Sequence, residues 1–133
     1  NLVSMANLKI PLHGNGLVTG EAIIKSMRPM ISRFAGGITE AIHFIKNDKE
    51  STKAIIGKYT RFSDAEGLER TYRNHMAVLL DAPYPDPVGI KTLLDDMAPR
   101  NAKAAAADPK IFVDQSFVQE MESTGFIKQL QKR

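Results

Sequence analysis

The sequence predicts a mostly α-helical chain with one or two β-strands at its N-terminus, and three observations lead to this fold class. Apolar Leu8, Ile10 and Leu12 alternate with other residues, which is the periodicity of a strand. A flexible Gly14-Asn15-Gly16 joint follows, and beyond it apolar residues recur at the helical spacing of three and four. Because a lone strand cannot satisfy its own backbone hydrogen bonds, we expect the chain to be a piece of a larger structure that supplies more strands.

The strongest predicted helix runs from Arg28 to Asn47. Pro29 suits its first turn, where a missing N–H has no partner to lose. Gly36-Gly37 weakens the middle of this helix by about 1 kcal/mol per glycine relative to alanine, which predicts the close approach of another backbone or a kink. The apolar face of the helix consists of Met30, Ile31, Phe34, Ile38, Ala41, Ile42 and Ile45.

Capping patterns predict three further helices. Asn47 with Glu50, and Ser63 with Glu66, match the capping box at the starts of two of them. Asp86-Pro87 combines an N-cap with a first-turn proline and starts the third. The predicted inward-facing residues are Ala54, Ile55 and Tyr59 in the first, Leu68, Tyr72, Met76 and Leu79 in the second, and Ile90, Leu93, Leu94 and Met97 in the third.

The C-terminal part of the chain is predicted to mix connectors with short helices. Residues 101–107 contain five alanines and one lysine, so we expect a surface connector with nothing large to bury. Asp108-Pro109 starts a short turn, and Asp114 caps the helix that follows it. Gly125-Phe126 matches a C-terminal glycine cap with its hydrophobic contact. Residues 127–133 are expected to form a loose final turn.

Composition restricts the classes of function that fit the chain. The 133 residues include 43% hydrophobic and 25% charged residues, which is ordinary for one folded domain. The net charge of +3 comes from Lys and Arg dispersed among Asp and Glu, and this dispersal does not favour nucleic acid as a partner. The absence of cysteine excludes disulfides, thiol nucleophiles and cysteine-ligated zinc. No apolar run approaches the roughly 20 residues of a membrane helix.

The sequence contains no residue pattern that is typical of a catalytic site. His13, His43 and His75 lie about thirty residues apart, a spacing unlike that of metal ligands. Asp95-Asp96 forms a pair of helix neighbours whose side chains point about 100° apart, which indicates a solvated face. A Gly-rich phosphate loop and a Ser-His-acid arrangement are both missing. We therefore expect a non-enzymatic chain with no catalytic residue, no metal and no cofactor.

Five motifs, taken in order, resemble the C-terminal part of the periplasmic solute-binding proteins of the nitrate, sulfonate and taurine type. These proteins serve ABC importers and include relatives that bind thiamine-pyrimidine precursors. The resemblance covers nearly the whole chain, although family members are considerably longer. The motifs are Gly14-Asn15-Gly16-Leu17-Val18-Thr19; Phe34 through Asn47 with Gly37-Ile38 and His43-Phe44; Tyr59-Thr60; Tyr84-Pro85; and Ala107-Asp108-Pro109 through Phe112-Val113-Asp114, with Gly125-Phe126-Ile127.

The resemblance implies an α/β parent fold, the type II periplasmic binding protein, in which two lobes close over a small solute. Residues 1–16 are then the end of the second lobe and the hinge crossing. Residues 17–133 are the C-terminal, helix-rich part of the first lobe and form a single compact unit. Within this plan, residues 8–12 leave the second lobe as a strand and residues 17–24 return to the first lobe.

The function that the resemblance implies is the capture of a small anionic or zwitterionic solute for an ABC permease at the membrane. The location would be periplasmic or extracellular, with the targeting segment in the parent protein. The implied ligand-binding residues are His13, Gly14, Asn15, Gly16 and Thr19. Glycines beside Asn15 allow positive φ and bring backbone N–H groups close to an anion. The plain alternative for these residues is a turn without a ligand.

Two further alternatives remain open at this point. The chain fits a stand-alone helical protein-interaction module with no small-molecule ligand, in which amphipathic helices form a bundle. Some relatives of the parent fold synthesise thiamine pyrimidine, using a cysteine-rich motif outside the stretch covered here. In the truncated-lobe interpretation we also expect self-association, because exposed strand edges pair with further copies.

Overall fold

The computed structural model describes residue 11 and residues 15–132, and this part of the chain is entirely α-helical apart from its connections. The helices are α1 (Glu21–Asn47), α2 (Lys49–Thr60), α3 (Ala65–Met76), α4 (Pro87–Met97), α5 (Ala102–Ala106), α6 (Ser116–Ser123) and α7 (Phe126–Leu130). Two short 3₁₀ turns, Ala98–Arg100 and Pro109–Phe112, flank α5. Helices α6 and α7 pack on α1, α3 packs on α2, and α4 packs on α5 and on the second 3₁₀ turn.

The predicted α/β fold with N-terminal strands is wrong for the described part of the chain. No β-strand occurs in residues 15–132, and residues 17–24 do not form the expected returning strand. Instead, the carbonyl oxygen of Gly20 accepts hydrogen bonds from the N–H groups of Ile23 and Ile24, and α1 begins at Glu21. A strand at this position would need a neighbouring strand to satisfy its backbone, and residues 15–132 supply none. The other predicted strand, residues 8–12, lies outside the described residues apart from Pro11.

Helix α1 is two helical pieces joined at a kink. Met27 has non-helical φ and ψ of −129° and 26°. Pro29 is the cause, because its ring clashes with the carbonyl four residues earlier and it has no N–H to donate. The second piece therefore starts near Arg28 with Pro29 in its first turn, as the sequence predicted. The predicted alternative of a kink at Gly36-Gly37 does not occur, since α1 is regular there.

Aspartate side chains cap three of the helices. Asp48 accepts a hydrogen bond from the N–H of Ser51 at the start of α2, and Asp64 accepts one from the N–H of Gly67 at the start of α3. The predicted caps, Asn47 and Ser63, are each one residue too early. Asn47 instead donates from its amide to the carbonyl oxygen of His43 in the last turn of α1. The prediction for α4 is confirmed, because Asp86 accepts from the N–H groups of Val88 and Gly89.

The hydrophobic core lies between α1 and the C-terminal helices. Val118, Met121 and Ile127 are its centre, and Phe126 packs against them from the start of α7. Residues 126–130 are helical with Ile127 and Leu130 buried, so the predicted loose final turn is wrong. Gly125 has a φ of 76°, which confirms the predicted glycine at the end of α6. From α1, the core-facing residues Ile31, Thr39 and Ile42 are buried.

The inward faces predicted for the middle helices are only partly right. In α3, Tyr72 is buried as predicted. In α2, Ala54, Ile55 and Tyr59 are exposed, and the buried residue is Thr52. The predicted connector at residues 101–107 contains α5 and buries Ala104. Helix α5 packs on α4, and its alanines favour the helix because they lose no side-chain entropy.

Candidate functional site

The described part of the chain exposes more large apolar side chains than it buries. Nine hydrophobic residues are buried in residues 15–132, whereas eighteen large hydrophobic residues are exposed. Scattered exposed apolar residues are normal on a monomer, but contiguous ones mark surfaces that another surface covers. Exposed apolar residues that share one face of a helix are therefore candidates for a binding surface.

Helix α1 carries an exposed row of apolar and small residues with the spacing of a coiled-coil contact. The row consists of Met27, Met30, Phe34, Gly37, Ala41 and Phe44, and we call these six positions the α1 seam. Their successive separations of three, four, three, four and three residues follow the a and d positions of a heptad, and all of them except Met27, which lies at the kink, belong to the regular part of α1. The large members are 41% to 56% exposed, with Phe34 the most exposed of them. One face of α1 therefore packs on the core, and a neighbouring face presents this seam to solvent.

Gly37 has no structural use within the described chain. A Cβ atom built on Gly37 meets nothing within 4 Å, whereas a Cβ on Gly36 would touch the ring of Phe126 at 3.8 Å. Glycine in a helix interior costs about 1 kcal/mol relative to alanine. The sequence predicts that another backbone lies close to these glycines. In the described chain the neighbour of Gly36 is instead the Phe126 side chain, and a side chain at Gly37 would have no neighbour.

Opposite charges border the α1 seam along one edge. Arg33 and Glu40 lie seven residues apart, so they occupy the same heptad position, and both are exposed. Neither side chain has an oppositely charged partner within 4.0 Å among the described residues. By contrast, nearby Arg28 reaches Glu120 at 3.3 Å and stacks over the ring of Phe117 at 4.2 Å.

Two cavities lie beside α1, and neither encloses a solute. A depression of about 440 Å³ opens to solvent and is lined by Arg28, Pro29, Ser32, Arg33 and Glu120. A cavity of about 20 Å³ lies over the Thr39–His43 turn and has room for one water molecule. Lys46 and Asp81 form an ion pair at its rim.

Three of the five residues predicted to bind a ligand, Asn15, Gly16 and Thr19, lie in the described part of the chain. His13 and Gly14 lie outside the described residues. Asn15, Gly16 and Thr19 are exposed, in a segment of irregular backbone just before α1, and none of the three lines either cavity. These three residues are thus accessible to a ligand, but neither of the two cavities encloses a ligand beside them.

The acidic and histidine residues of residues 15–132 do not gather into a metal-binding group. Asp95 pairs with Lys91 and Asp96 pairs with Arg100, so the two neighbouring carboxylates have separate partners on an exposed face. This arrangement agrees with the solvated face that the sequence predicted. Within the described part of the chain, no helix combines the length and the apolar character needed to cross a membrane.

The longest motif that carries the family resemblance, Phe34 through Asn47, lies within α1, and shorter motifs lie at helix ends or in connections. Tyr59-Thr60 ends α2, and Tyr84-Pro85 lies in the connection before α4. Tyr84 donates a 2.6 Å hydrogen bond to Glu122 on α6, and this bond raises the pKa of the Tyr84 phenol. Gln115 donates to the carbonyl oxygen of Pro85 at 3.2 Å. The Tyr84-Pro85 motif therefore fixes a connection to α6.

A second motif residue, Asp114, organises the start of α6. Its carboxylate accepts hydrogen bonds from the hydroxyl and the backbone N–H of Ser116, and these bonds lower the pKa of Asp114. Ser116 in turn accepts a 3.0 Å hydrogen bond from Arg28 on α1. The motif thus links the connection, α6 and the start of the straight part of α1.

Comparisons of the chain with protein-family models, with curated protein sequences and with solved structures find no match. The family resemblance consequently depends on the ordered motifs themselves. Sequence reasoning missed the α1 seam because it assigned Met30, Phe34 and Ile38 to the buried face of one helix. The signal that could have found the seam is the alternating spacing of three and four from Met27 to Phe44, which continues through Gly37 and Ala41.

Proposed function

We propose that the chain is the helical part of a solute-binding component of an ABC importer of the nitrate, sulfonate and taurine type. The observation that carries the proposal is the ordered series of five motifs along nearly the whole chain. The structure adds support, because Tyr84-Pro85 and Asp114 are held by specific hydrogen bonds and so have a defined structural role. The proposed function of the protein is to bind a solute without covalent chemistry.

The exposed residues just before α1 support the position of the solute in this proposal. Asn15, Gly16 and Thr19 offer an amide, backbone N–H groups and a hydroxyl that no described group covers. Such groups suit an anionic or zwitterionic solute. A ligand-binding site normally buries most of its ligand, so capture requires further polypeptide that closes over this joint. A periplasmic or extracellular location and delivery to a membrane permease belong to the same proposal.

A thermal-shift measurement tests the proposal, and it uses the protein encoded by the complete reading frame that contains this chain. The solutes are nitrate, taurine, an alkanesulfonate, bicarbonate and a pyrimidine. A ligand that binds only the folded state raises the melting temperature by mass action, about 2.7 kcal/mol of stabilisation at a hundred times its Kd. We expect one solute to raise the melting temperature. The absence of a shift with every solute, or a reading frame that adds no polypeptide to close the site, contradicts the proposal.

A matched pair of variants ties any thermal shift to the predicted joint. Asn15→Ala removes an exposed amide at the joint, whereas Asn74→Ala removes an exposed amide on α3. We expect only Asn15→Ala to weaken the solute-induced shift. An equal shift in both variants would place the solute elsewhere and remove the joint from the proposed site.

A stand-alone helical protein-interaction module is the second candidate function. The α1 seam favours it, because exposed apolar residues at heptad spacing are typical of helices that bind another helix. The all-helical structure of residues 21–24, where the binding-protein plan expected a strand, favours it as well. If this second candidate is right, none of the tested solutes raises the melting temperature, and the α1 seam binds another protein helix.

A further inference from the structure

We propose that the α1 seam is a contact surface for a second copy of this chain, in which the two α1 helices pack antiparallel around a two-fold axis. This inference goes beyond solute capture and does not depend on it. The seam itself indicates that the partner is a second copy. The side-chain sizes and the charges along α1 are complementary to those of an antiparallel copy of the same helix.

Side-chain size is the first argument for a second copy. In an antiparallel pair centred near Gly36, each a position of one helix faces a d position of the other. Phe34 then lies opposite Gly37 of the second copy, and Met30 lies opposite Ala41 of the second copy. The two-fold axis repeats both contacts. From Met30 to Ala41 each large side chain is thus met by a small one, which lets the backbones approach closely, as alternating large and small residues do in packed cores. At the two ends of the seam, Met27 lies opposite Phe44 of the second copy, and these two large side chains close the contact.

Gly37 supports the same arrangement, because no described residue of the single chain needs the space beside it. A Cβ atom at Gly37 meets open space in the single chain, so nothing in residues 15–132 calls for glycine. Opposite the ring of Phe34 from a second copy, the missing side chain provides the room that the ring needs. The glycine that lacks a use in one chain acquires one in the pair.

Charge is the argument that selects the antiparallel orientation. Residues at the same heptad edge position face one another only when the helices run in opposite directions. Arg33 and Glu40 share one edge, so Arg33 of each copy lies beside Glu40 of the other and forms two symmetric ion pairs. In the single chain neither has a charged partner among the described residues. A parallel pair would place neither of these residues beside its complement.

Sedimentation equilibrium of the whole chain tests the proposal through the charges. We expect the unaltered chain to dimerise in the micromolar range. Arg33→Glu and Glu40→Arg should each weaken the dimer about tenfold, because each turns two ion pairs into two like-charge contacts. An equimolar mixture of the two variants should dimerise again, since all four edge charges are then complementary. Equal melting temperatures for the dilute variants show that both fold. A monomer at every concentration, or a mixture no tighter than its components, overturns the proposal.

Cross-linking tests the orientation, and the cysteine-free sequence makes single-cysteine variants clean. A disulfide needs two Cα atoms about 4.4–6.8 Å apart. In the antiparallel pair, Met30→Cys mixed with Ala41→Cys brings the two thiols together, whereas two copies of Met30→Cys hold theirs about 16 Å apart along the axis at 1.5 Å per residue. We expect mild oxidation to cross-link the mixture and not Met30→Cys alone. Efficient cross-linking of Met30→Cys alone indicates a parallel pair and contradicts the proposal.

Discussion

Tyr72 donates a 2.9 Å hydrogen bond from its phenol to the carbonyl oxygen of Ile45. The Ile45 carbonyl belongs to the last turn of α1, where carbonyl groups lack a helical partner. The bond therefore fastens α3 to the end of α1 and satisfies a group that would otherwise be exposed or orphaned. Tyr72 is buried, so its ring adds packing to this junction.

Loss of the Tyr72 hydroxyl should loosen this junction. We expect Tyr72→Phe to lower the free energy of unfolding by about 1 kcal/mol, because it removes one hydrogen bond and leaves a carbonyl without a partner. Chemical denaturation measures the change. Tyr59→Phe is the matched control, since Tyr59 is 79% exposed and should be neutral. Equal effects in the two variants would mean that the Tyr72 hydrogen bond does not stabilise the fold.

Truncation of Met121 should reveal the core between α1 and α6. Met121 is buried beside Val118 and Ile127, and its sulfur lies 3.6 Å from the Thr39 hydroxyl. Met121→Ala should lower the free energy of unfolding by about 2–4 kcal/mol through lost burial and a residual cavity. Met97→Ala makes the same chemical change at a residue that is 45% exposed, and should cost less than about 1 kcal/mol. A Met97 effect as large as that of Met121 would show that the core lies elsewhere.

Two glycine-to-alanine changes should act in opposite directions on the dilute chain. A Cβ at Gly67 would lie 2.5 Å from the Phe62 ring and 2.7 Å from the Asp64 carboxylate that caps α3. Gly67→Ala should therefore lower the melting temperature. Gly37→Ala meets no atom within 4 Å and gains about 0.5–1 kcal/mol of helix propensity, so it should raise the melting temperature of the monomer. Circular dichroism melts of both variants measure the two shifts.

The same Gly37→Ala variant separates folding from association. If Phe34 of a second copy fills the space above Gly37, the added methyl should weaken the dimer while it strengthens the monomer. Measurements of melting temperature and of dimer dissociation on one sample give the two signs. A variant that is more stable and dimerises as well as the unaltered chain would contradict the proposed packing of Phe34 on Gly37.

The junction of α2 and α3 should be sensitive to acid through Glu69. Its carboxylate lies 2.7 Å from Lys49 and 3.2 Å from Lys53, and these hydrogen bonds hold its pKa below the ordinary value of 4.5. A carboxylate with a lowered pKa in the folded state stabilises that state above the unfolded pKa. The stabilisation is lost as the pH falls below about 4.5 and through the lowered folded value.

Glu69→Gln should therefore flatten the dependence of stability on pH in the acid range. Thermal melts between about pH 5 and pH 3 measure the slope, because this interval spans ordinary glutamate titration. Glu66→Gln is the control, since Glu66 is far more exposed and, among the described residues, forms an ion pair with Arg70 alone, at 3.8 Å. A slope unchanged by Glu69→Gln would show that the pairs with Lys49 and Lys53 do not stabilise the fold.

The sequence predicted most helices because local signals determine where a helix starts and stops. Asp86-Pro87 and Gly125 act on their own backbone neighbours, so their roles could be inferred without knowledge of the fold. The prediction placed two caps one residue too early, at Asn47 and Ser63. These residues are as good N-caps as the adjacent Asp48 and Asp64, and the sequence alone does not choose between them.

The burial of helix faces was harder to predict than the helices themselves. In α1, apolar residues cover more than one face, and periodicity alone did not show that Ile31 packs on the core while Phe34 remains exposed. In α2, Ile55 has the spacing of an inward residue, but the buried residue of this helix is Thr52, and it is Gly57 that lies beside Leu68 of α3. The returning strand at residues 17–24 failed for a related reason, because a strand depends on partners that residues 15–132 do not supply.

Methyl NMR of methionine-labelled protein tests the central claim, that a second copy covers the α1 seam, on the unaltered chain. Met30 lies in the seam, Met97 is exposed elsewhere, and Met121 is buried in the core. On concentration from the monomer into the dimer range, we predict that the Met30 methyl resonance shifts while those of Met97 and Met121 stay fixed. An unmoved Met30 resonance in a sample that has dimerised, or a larger shift at Met97, would contradict the claim.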